Sequence, residues 1–369
     1  MHCPTFLGAS RQVFPEWPAI PLVGIEAREV GGRFDLPLGA CLAKTYEMND
    51  EVALLSLLNK SQRNGPRAGI LINEQNVAIA VVRRRAGQKP LIEHCAIHDC
   101  ENNEPAEQVL RRNIAKLGLA RASVHAVTSA DDYQLVQVES PEVQPAELRA
   151  AIRWRLRDVI NFHIDDAVVD VFEIPDQSRR SKNKMLFAVA ARSAAVQRLV
   201  TAIAPVARDF EVIDIPELCL RNVSALLPQD QKGVATLLLG EKFAQLILTR
   251  QGVLYLARRI EYSRSYDFDG DATGGAKNID AAALALELQR SLDYFESNYD
   301  QTPIGELVLA PAGANSARLL SSLQSETSLR ISVLELSEIM EGADALGQDL
   351  HPDCLLAMGA ALRVETTSL

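Results

Sequence analysis

The stretch GILINEQNVAIAVV, residues 69–82, decides how the rest of the chain is read. Apolar side chains at Ile70 and Ile72 stop at four polar residues, Asn73-Glu74-Gln75-Asn76, and resume at Val77, Ile79, Val81 and Val82. Branched apolar residues on either side of a short Asn-rich turn predict two antiparallel strands. Working outward, LIEHCAIHDC (91–100) predicts a third strand, and PAEQVLRRNIAKLGL (105–119) a helix with Val109, Leu110, Ile114 and Leu117 on one face. SVHAVTSADDYQLVQVES then gives two short strands around Ala130–Asp132.

PAELRAAIRWRLRDVINF opens a helix at Pro145, a permitted first-turn position, with Glu147 at the positive end of the dipole. Leu148, Ile152, Leu156, Val159 and Ile160 form its predicted buried stripe. DDAVVDVFEIP and KMLFAVAAR read as strands around the charged loop QSRRSKN; SAAVQRLVTAIAPVARD reads as a helix, and FEVIDIPELCLRNVSALL as a strand running into another helix. From about residue 232 a second unit starts with three strands (233–239, 243–249, 253–260). The polar loop SYDFDGDATGGAKN, the helix IDAAALALELQRSLDYFESNY, the strand and turn ELVLAPAGAN, and the helices SARLLSSLQSET and CLLAMGAALRV complete it. Meanders alternating with helices in both units predict an α/β architecture of two related halves, each a mixed sheet flanked by helices.

Bulk properties agree with two folded domains. The chain has 369 residues, 47% hydrophobic and 23% charged, enough for two cores. A formal net charge of −10 argues against nucleic acid as the main partner. No stretch is long and apolar enough to span a bilayer, and no secretory signal is visible. Six cysteines (Cys3, Cys41, Cys95, Cys100, Cys219, Cys354) are scattered in a manner that suits free thiols in a reducing cytoplasm. Residues 1–47 carry several prolines and glycines without sustained periodicity and read as an irregular extension; one reading starts the natural protein at Met48. The expected organisation is a short helix and linker over 48–68, a first half over 69–231 with an inserted subdomain at about 125–190, and a second half over 232–369.

The phrases IRWRLRDVINFHIDDAVVDVFEIP, FAVAAR, DFEVIDIPELCLRN, LELQRSLDYFESN and MGAALR occur in an order that resembles the PilM group of actin-like pilus assembly proteins, and within it the MSHA branch. The resemblance covers about residues 50–365 and extends to the cytoplasmic part of GspL; Asn161-Phe162 stands where Pro-Phe is usual in the group. It implies an actin/Hsp70-like ATPase fold with a subdomain inserted in the first half. It also implies a scaffold that binds the cytoplasmic tail of a PilN-like inner-membrane protein in a groove beside that insertion. Contact with the pilus assembly ATPase and a position in the cytoplasm, peripheral at the inner membrane through the partner, are implied in the same way.

Actin-like ATPases hold phosphates in hairpins of the type Asp-x-Gly-[Ser/Thr], where glycine permits close approach and the aspartate helps hold magnesium. On that pattern Leu71 stands at the aspartate, Asn73 at the glycine and Glu74 at the hydroxyl, followed by Gln75 and Asn76; Ala78 replaces a lysine common in the PilM group. The second hairpin keeps Gly240 but has Leu238 for the aspartate and Glu241 after the glycine. The adenosine-side turn has Pro311, Ala312 and Gly313. The expectation is a degenerate cleft, no ATP hydrolysis and no cofactor; the alternative, an active ATPase or kinase binding ATP with magnesium, needs the residues that are replaced.

Other constellations are weaker. GDATGGAK (270–277) approximates a Walker loop, but Ala276 intervenes before Lys277 and Asn278 replaces the Ser/Thr; DFDGD (267–271) lacks the glycine position of a calcium loop. His94, Cys95, His98 and Cys100 are the best metal candidates, yet on a strand Cys95 faces away from the other three, which spread over about 20 Å. Arg149, Arg153, Arg155 and Arg157 give one helix a basic face around Trp154. That face reads either as solvated and paired with Glu147 and Asp158, or as a docking surface in which Arg149, Arg153, Trp154 and Arg157 meet an acidic tail or anionic lipid, with Trp154 half-exposed or packed on a neighbouring subdomain.

Overall fold

The structure is a computed structural model that describes residues 65–101, 104–174, 184–240, 243–261, 264–266, 277–299, 301–310, 316–346 and 350–364. The N-terminal extension, the helix expected after Met48, the loop 177–183, most of the glycine-rich loop, Glu241, Pro311, Ala312 and Gly313 lie outside the described residues.

Two sheets share one plan. In the first half β1 (Pro66–Ile72), β2 (Asn76–Arg83) and β3 (Leu91–Asp99) form an antiparallel meander, and β4 (Ser123–Val127) and β8 (Asp209–Asp214) add parallel strands, in the order β3-β2-β1-β4-β8. The second half repeats it with β9 (Val234–Leu239), β10 (Phe243–Arg250), β11 (Val253–Glu261), β14 (Glu306–Leu309) and β15 (Arg330–Val333), in the order β11-β10-β9-β14-β15. Strands β1, β2, β9 and β10 are buried along nearly their whole length. Their continuous apolar character reflects sheets covered on both faces. The inserted subdomain is a separate antiparallel sheet of β5 (Tyr133–Glu139), β7 (Met185–Arg192) and β6 (Ala167–Glu173), in the order β5-β7-β6.

Helices are α1 (Ala106–Lys116), α2 (Pro145–Leu156), α3 (Ser193–Ile203), α4 (Pro216–Ser224), α5 (Ala281–Asn298), α6 (Ser316–Glu326), α7 (Leu336–Ile339) and α8 (Pro352–Ala361). The last of these comes from the end of the chain yet covers the first sheet. Its path is fixed at successive points. Cys354 lies beside Cys95 on β3, Ala357 rests on Gly69 of β1, and the carbonyl of Ala360 is 2.8 Å from His125 Nδ1 on β4. A Cβ at Gly69 would come within 1.8 Å of the Ala357 carbonyl oxygen, so only glycine allows this approach.

The other side of α8 crosses α4, where a Cβ at Gly359 would lie 2.2 Å from the Cys219 carbonyl oxygen. Helix α4 is buried throughout and also packs on β9, β10 and β11, so the α4–α8 layer joins the two sheets. Several polar side chains inside that layer find partners. Asn222 Nδ2 donates to the Gly359 carbonyl at 2.9 Å, Arg363 Nη1 pairs with Asp214 Oδ2 at 2.9 Å, and Ser224 Oγ donates to Thr236 Oγ1 at 2.8 Å. Arg67 and Arg84 cap the C-terminal end of α8 by donating to the carbonyls of Arg363 and Leu362.

Four sequence expectations need correction. Strand β1 begins at Pro66, three residues before Gly69, because Arg67 is needed on the carbonyl of Arg363. Helix α2 ends at Leu156 rather than running through Val159; the chain turns there, so Ile160 points in while Val159 is exposed, and the predicted stripe breaks. Strand β15 was not anticipated, being four residues long with alternate side chains in solvent. Arg264–Tyr266 and Lys277–Ile279 form a short antiparallel pair, β12 with β13, where the sequence reads as a polar loop running into a helix at Ile279.

Candidate functional site

The hairpin between β1 and β2 is held by its own side chains. Asn73 Oδ1 accepts the amides of Gln75 at 2.9 Å and Asn76 at 2.8 Å, and the Asn73 amide donates to the Asn76 carbonyl at 3.0 Å. Asn73 Nδ2 donates to Asn76 Oδ1 at 3.0 Å and to Asp353 Oδ2 at 2.9 Å. An Asx turn of this kind uses up the amides a phosphate would need. Leu71 and Ala78 are buried in the sheet, while Glu74 and Gln75 are exposed at the tip. Asp353 sits in the first turn of α8 and adds a carboxylate to the hairpin through Asn73. Sequence reasoning missed Asp353, which lies 280 residues from Asn73 and carries no local motif.

On the opposite half Leu238 is buried in β9, and the Gly240 amide donates to the Phe243 carbonyl at 2.9 Å. A Cβ at Gly240 would come within 2.9 Å of that same oxygen, so the glycine serves hairpin closure here. Magnesium needs hard oxygen donors close to the phosphates, and buried leucines at both aspartate positions supply none. The residues present therefore do not fit a magnesium–nucleotide complex at these two hairpins.

Contacts also bridge the two halves beside these hairpins. Arg259 of β11 stacks on Phe243 at 3.8 Å, pairs with Asp131 at 3.0 Å and donates to the Ala130 carbonyl at 3.2 Å, joining the second sheet to the β4–β5 loop. Gln137 of the inserted sheet accepts from Tyr294 Oη at 3.0 Å and donates to the Tyr255 carbonyl at 3.3 Å. Tyr133, the first residue of β5, donates to the buried carboxylate of Glu217 at the start of α4. Burial pushes the Glu217 carboxyl up to about 6 against the hydrogen bond from Tyr133. Burial does the same to Asp230, up to about 6, although Thr249 Oγ1 and the Gly252 amide donate to it.

The inserted subdomain presents the basic helix. Ile152 and Leu156 of α2 pack with Val138, Val171, Leu186, Ala188 and Ala190 in a core of their own. The arginines pair across the subdomain rather than with Glu147 and Asp158. Arg149 meets Asp170 at 3.1 Å, Arg153 donates to the Ala167 carbonyl at 2.9 Å and lies 3.5 Å from Asp165, and Arg155 donates to the Glu139 carbonyl at 3.0 Å. Arg157 is exposed with no ion-pair partner among the described residues. Trp154 is 72% exposed, so it does not pack on a neighbouring subdomain. The Asn161-Phe162 turn is held where Gln134 accepts the Asn161 amide at 2.7 Å and Arg192 covers the Phe162 ring at 4.4 Å.

His94 and His98 stack at 5.8 Å on one face of β3, with both Nε2 atoms buried and lacking a hydrogen-bond partner. Burial lowers both imidazoles, and the Lys116 ammonium adds to it. Cys95 lies on the other face against α8, and Cys100 is beyond the strand, its amide bonded to the Gln75 carbonyl at 2.8 Å. Among the described residues no three His, Cys, Asp or Glu side chains converge as metal ligands.

Duplicated five-stranded sheets joined through a helical layer, with a subdomain inserted in the first half, define the actin-like ATPase fold. No family model and no curated protein matches the sequence. Among solved structures, a PilM–PilN type IV pilus biogenesis complex superposes with a TM-score of 0.61 at 19% identity, over 81% of this chain and 98% of that one. The cytoplasmic domain of EpsL, an inner-membrane component of the type II secretion system of Vibrio cholerae, gives 0.45 at 12% identity, over 82% and 97%. A Bacteroides thetaiotaomicron protein of actin-like ATPase fold and unknown function gives 0.43 at 9%, over 80% and 97%. At these identities the likeness is one of fold. Among the described residues no helix is long and apolar enough to cross a membrane.

Proposed function

We propose that this chain is a cytoplasmic scaffold of type IV pilus assembly that binds the cytoplasmic tail of a PilN-like inner-membrane protein and does not turn over ATP. The observation that carries the reading is the hairpin at Asn73. Its amides are committed to the Asn73 side chain, Asp353 and Glu74 add carboxylates at this hairpin, and Leu71 and Leu238 stand where the resemblance expects metal-binding aspartates. The fold shared with a PilM–PilN complex supports the pilus role. Within that role we assign the MSHA branch, the part played by MshI with MshJ as the PilN-like partner, at the inner membrane and in reach of the pilus assembly ATPase. Trp154 of α2 and Arg157 just after it are the surface residues offered to a partner, because Arg149 and Arg153 are spent on the subdomain itself.

Calorimetric titration of the full chain tests this. Expected are micromolar binding of a synthetic peptide of the partner's cytoplasmic tail, weakened in Trp154→Ala, and no heat with magnesium-ATP at millimolar concentration. Micromolar ATP binding would restore the active ATPase or kinase reading. Failure of the peptide to bind would remove the scaffold role as stated.

A further inference from the structure

Two cysteines far apart in sequence meet where the last helix lands on the first sheet. Cys95 is in the middle of β3, paired with Ala80 of β2, on the face covered by α8. Cys354 is in the first turn of α8. Cys95 Sγ donates to the Cys354 carbonyl oxygen at 3.9 Å, across the contact between α8 and β3. Both are free thiols; Cys354 is buried, and Cys95 is partly open to solvent. The contact is fixed by the anchors that place α8, the close approach at Gly69 and the His125 hydrogen bond to Ala360, so the two cysteines are held side by side by the packing of the fold.

We propose that Cys95 and Cys354 form a dithiol redox site, converted by a small peroxide into an intramolecular disulfide that fastens α8 to β3. The interaction between the two side chains raises the Cys95 thiol and lowers that of Cys354, leaving Cys354 as the better nucleophile. Its sulfur attacks one oxygen of hydrogen peroxide; the O–O bond breaks, and the products are a sulfenic acid on Cys354 and one water carrying the Cys354 proton. The Cys95 sulfur then attacks the Cys354 sulfur. The S–S bond forms, the S–O bond breaks, and hydroxide leaves as a second water with the Cys95 proton. Each sulfur is oxidised by one electron, and the peroxide is reduced to two waters. A small oxidant is required because Cys354 is buried.

The consequence is local and global at once. Asp353, adjacent to Cys354, holds Asn73 in the β1–β2 hairpin, so the bond would fix the hairpin's support as well as the helix. It would also close a loop between residues 259 apart, a large restriction on the unfolded chain.

The experiment treats the natively folded full chain with hydrogen peroxide, blocks the remaining thiols and maps the digest by mass spectrometry. The expected result is the loss of two hydrogen atoms and a linked peptide pair containing Cys95 and Cys354. A rise of several degrees in melting temperature, reversed by dithiothreitol, should accompany it. Cys95→Ser and Cys354→Ser should each abolish the linked pair and the peroxide-dependent rise; the first alters a strand position and keeps the test readable if the second fails to fold. Recovery of Cys95 and Cys354 unlinked after peroxide has oxidised other thiols would overturn the proposal. So would linkage of Cys95 to Cys100, or between chains, in place of Cys354.

Discussion

The closest packing in the first half gives a prediction with a defined magnitude. In Gly69→Ala the new methyl would lie 1.8 Å from the Ala357 carbonyl oxygen, 2.8 Å from its carbon and 2.9 Å from the Ala361 amide nitrogen, all backbone atoms. No rotamer change relieves such a contact, so α8 must lift by about 1.5 Å to restore ordinary van der Waals distance, a gap that forfeits more than half of the dispersion energy along that face. Ala357, Ala360 and Ala361 lose their buried contacts, and the hydrogen bonds from His125 to Ala360 and from Asn222 to Gly359 are strained. Overpacking costs about 3 kcal/mol and each weakened buried hydrogen bond about 1 kcal/mol, offset by about 0.5–1 kcal/mol for replacing glycine in a strand. The net loss is about 4 kcal/mol, or a fall of about 5 °C in melting temperature for a chain of this size. Differential scanning fluorimetry reads it, with Gly305→Ala as the control because nothing lies within 4 Å of a Cβ there. A Gly69→Ala protein that melts with the control would refute the account of how α8 is seated.

Two further predictions concern the buried polar groups of the α4–α8 layer. Glu217 has its folded value raised to about 6 from an ordinary 4.5, so the folded state binds more protons between those values and stability falls as pH rises through that window. Glu217→Gln removes this loss, raising stability at pH 7 by up to about 2 kcal/mol and flattening the change between pH 5 and pH 7 in urea titrations; a variant less stable than the parent at pH 7 would contradict it. Arg363→Ala leaves the Asp214 carboxylate buried without its partner at 2.9 Å and should cost about 3–5 kcal/mol, whereas Asp214→Leu with Arg363→Met recovers most of it. Equal stability of the single and double variants in urea would show that the pair is not coupled.

The sequence by itself determined most of the elements and their kind, though not β15 or the β12–β13 pair. The alternation on either side of Asn73–Asn76, the branched runs of β9 to β11 and the periodic faces of α1 and α5 are local signals, because a strand or helix shows its buried face every second or every third to fourth residue. Leu71 and Leu238, at the positions where the resemblance expects aspartates, were equally legible, since those positions are fixed by the turn they precede. The tertiary structure decided whatever depends on which elements meet. It brought Asp353 to Asn73, Cys354 to Cys95 and Gly359 to Cys219. It also turned Arg149 and Arg153 from a free basic face into ties for their own sheet and left Trp154 in solvent. These pairings come from laying the end of the chain across its first sheet, and no spacing within a segment records a contact between residues hundreds of positions apart.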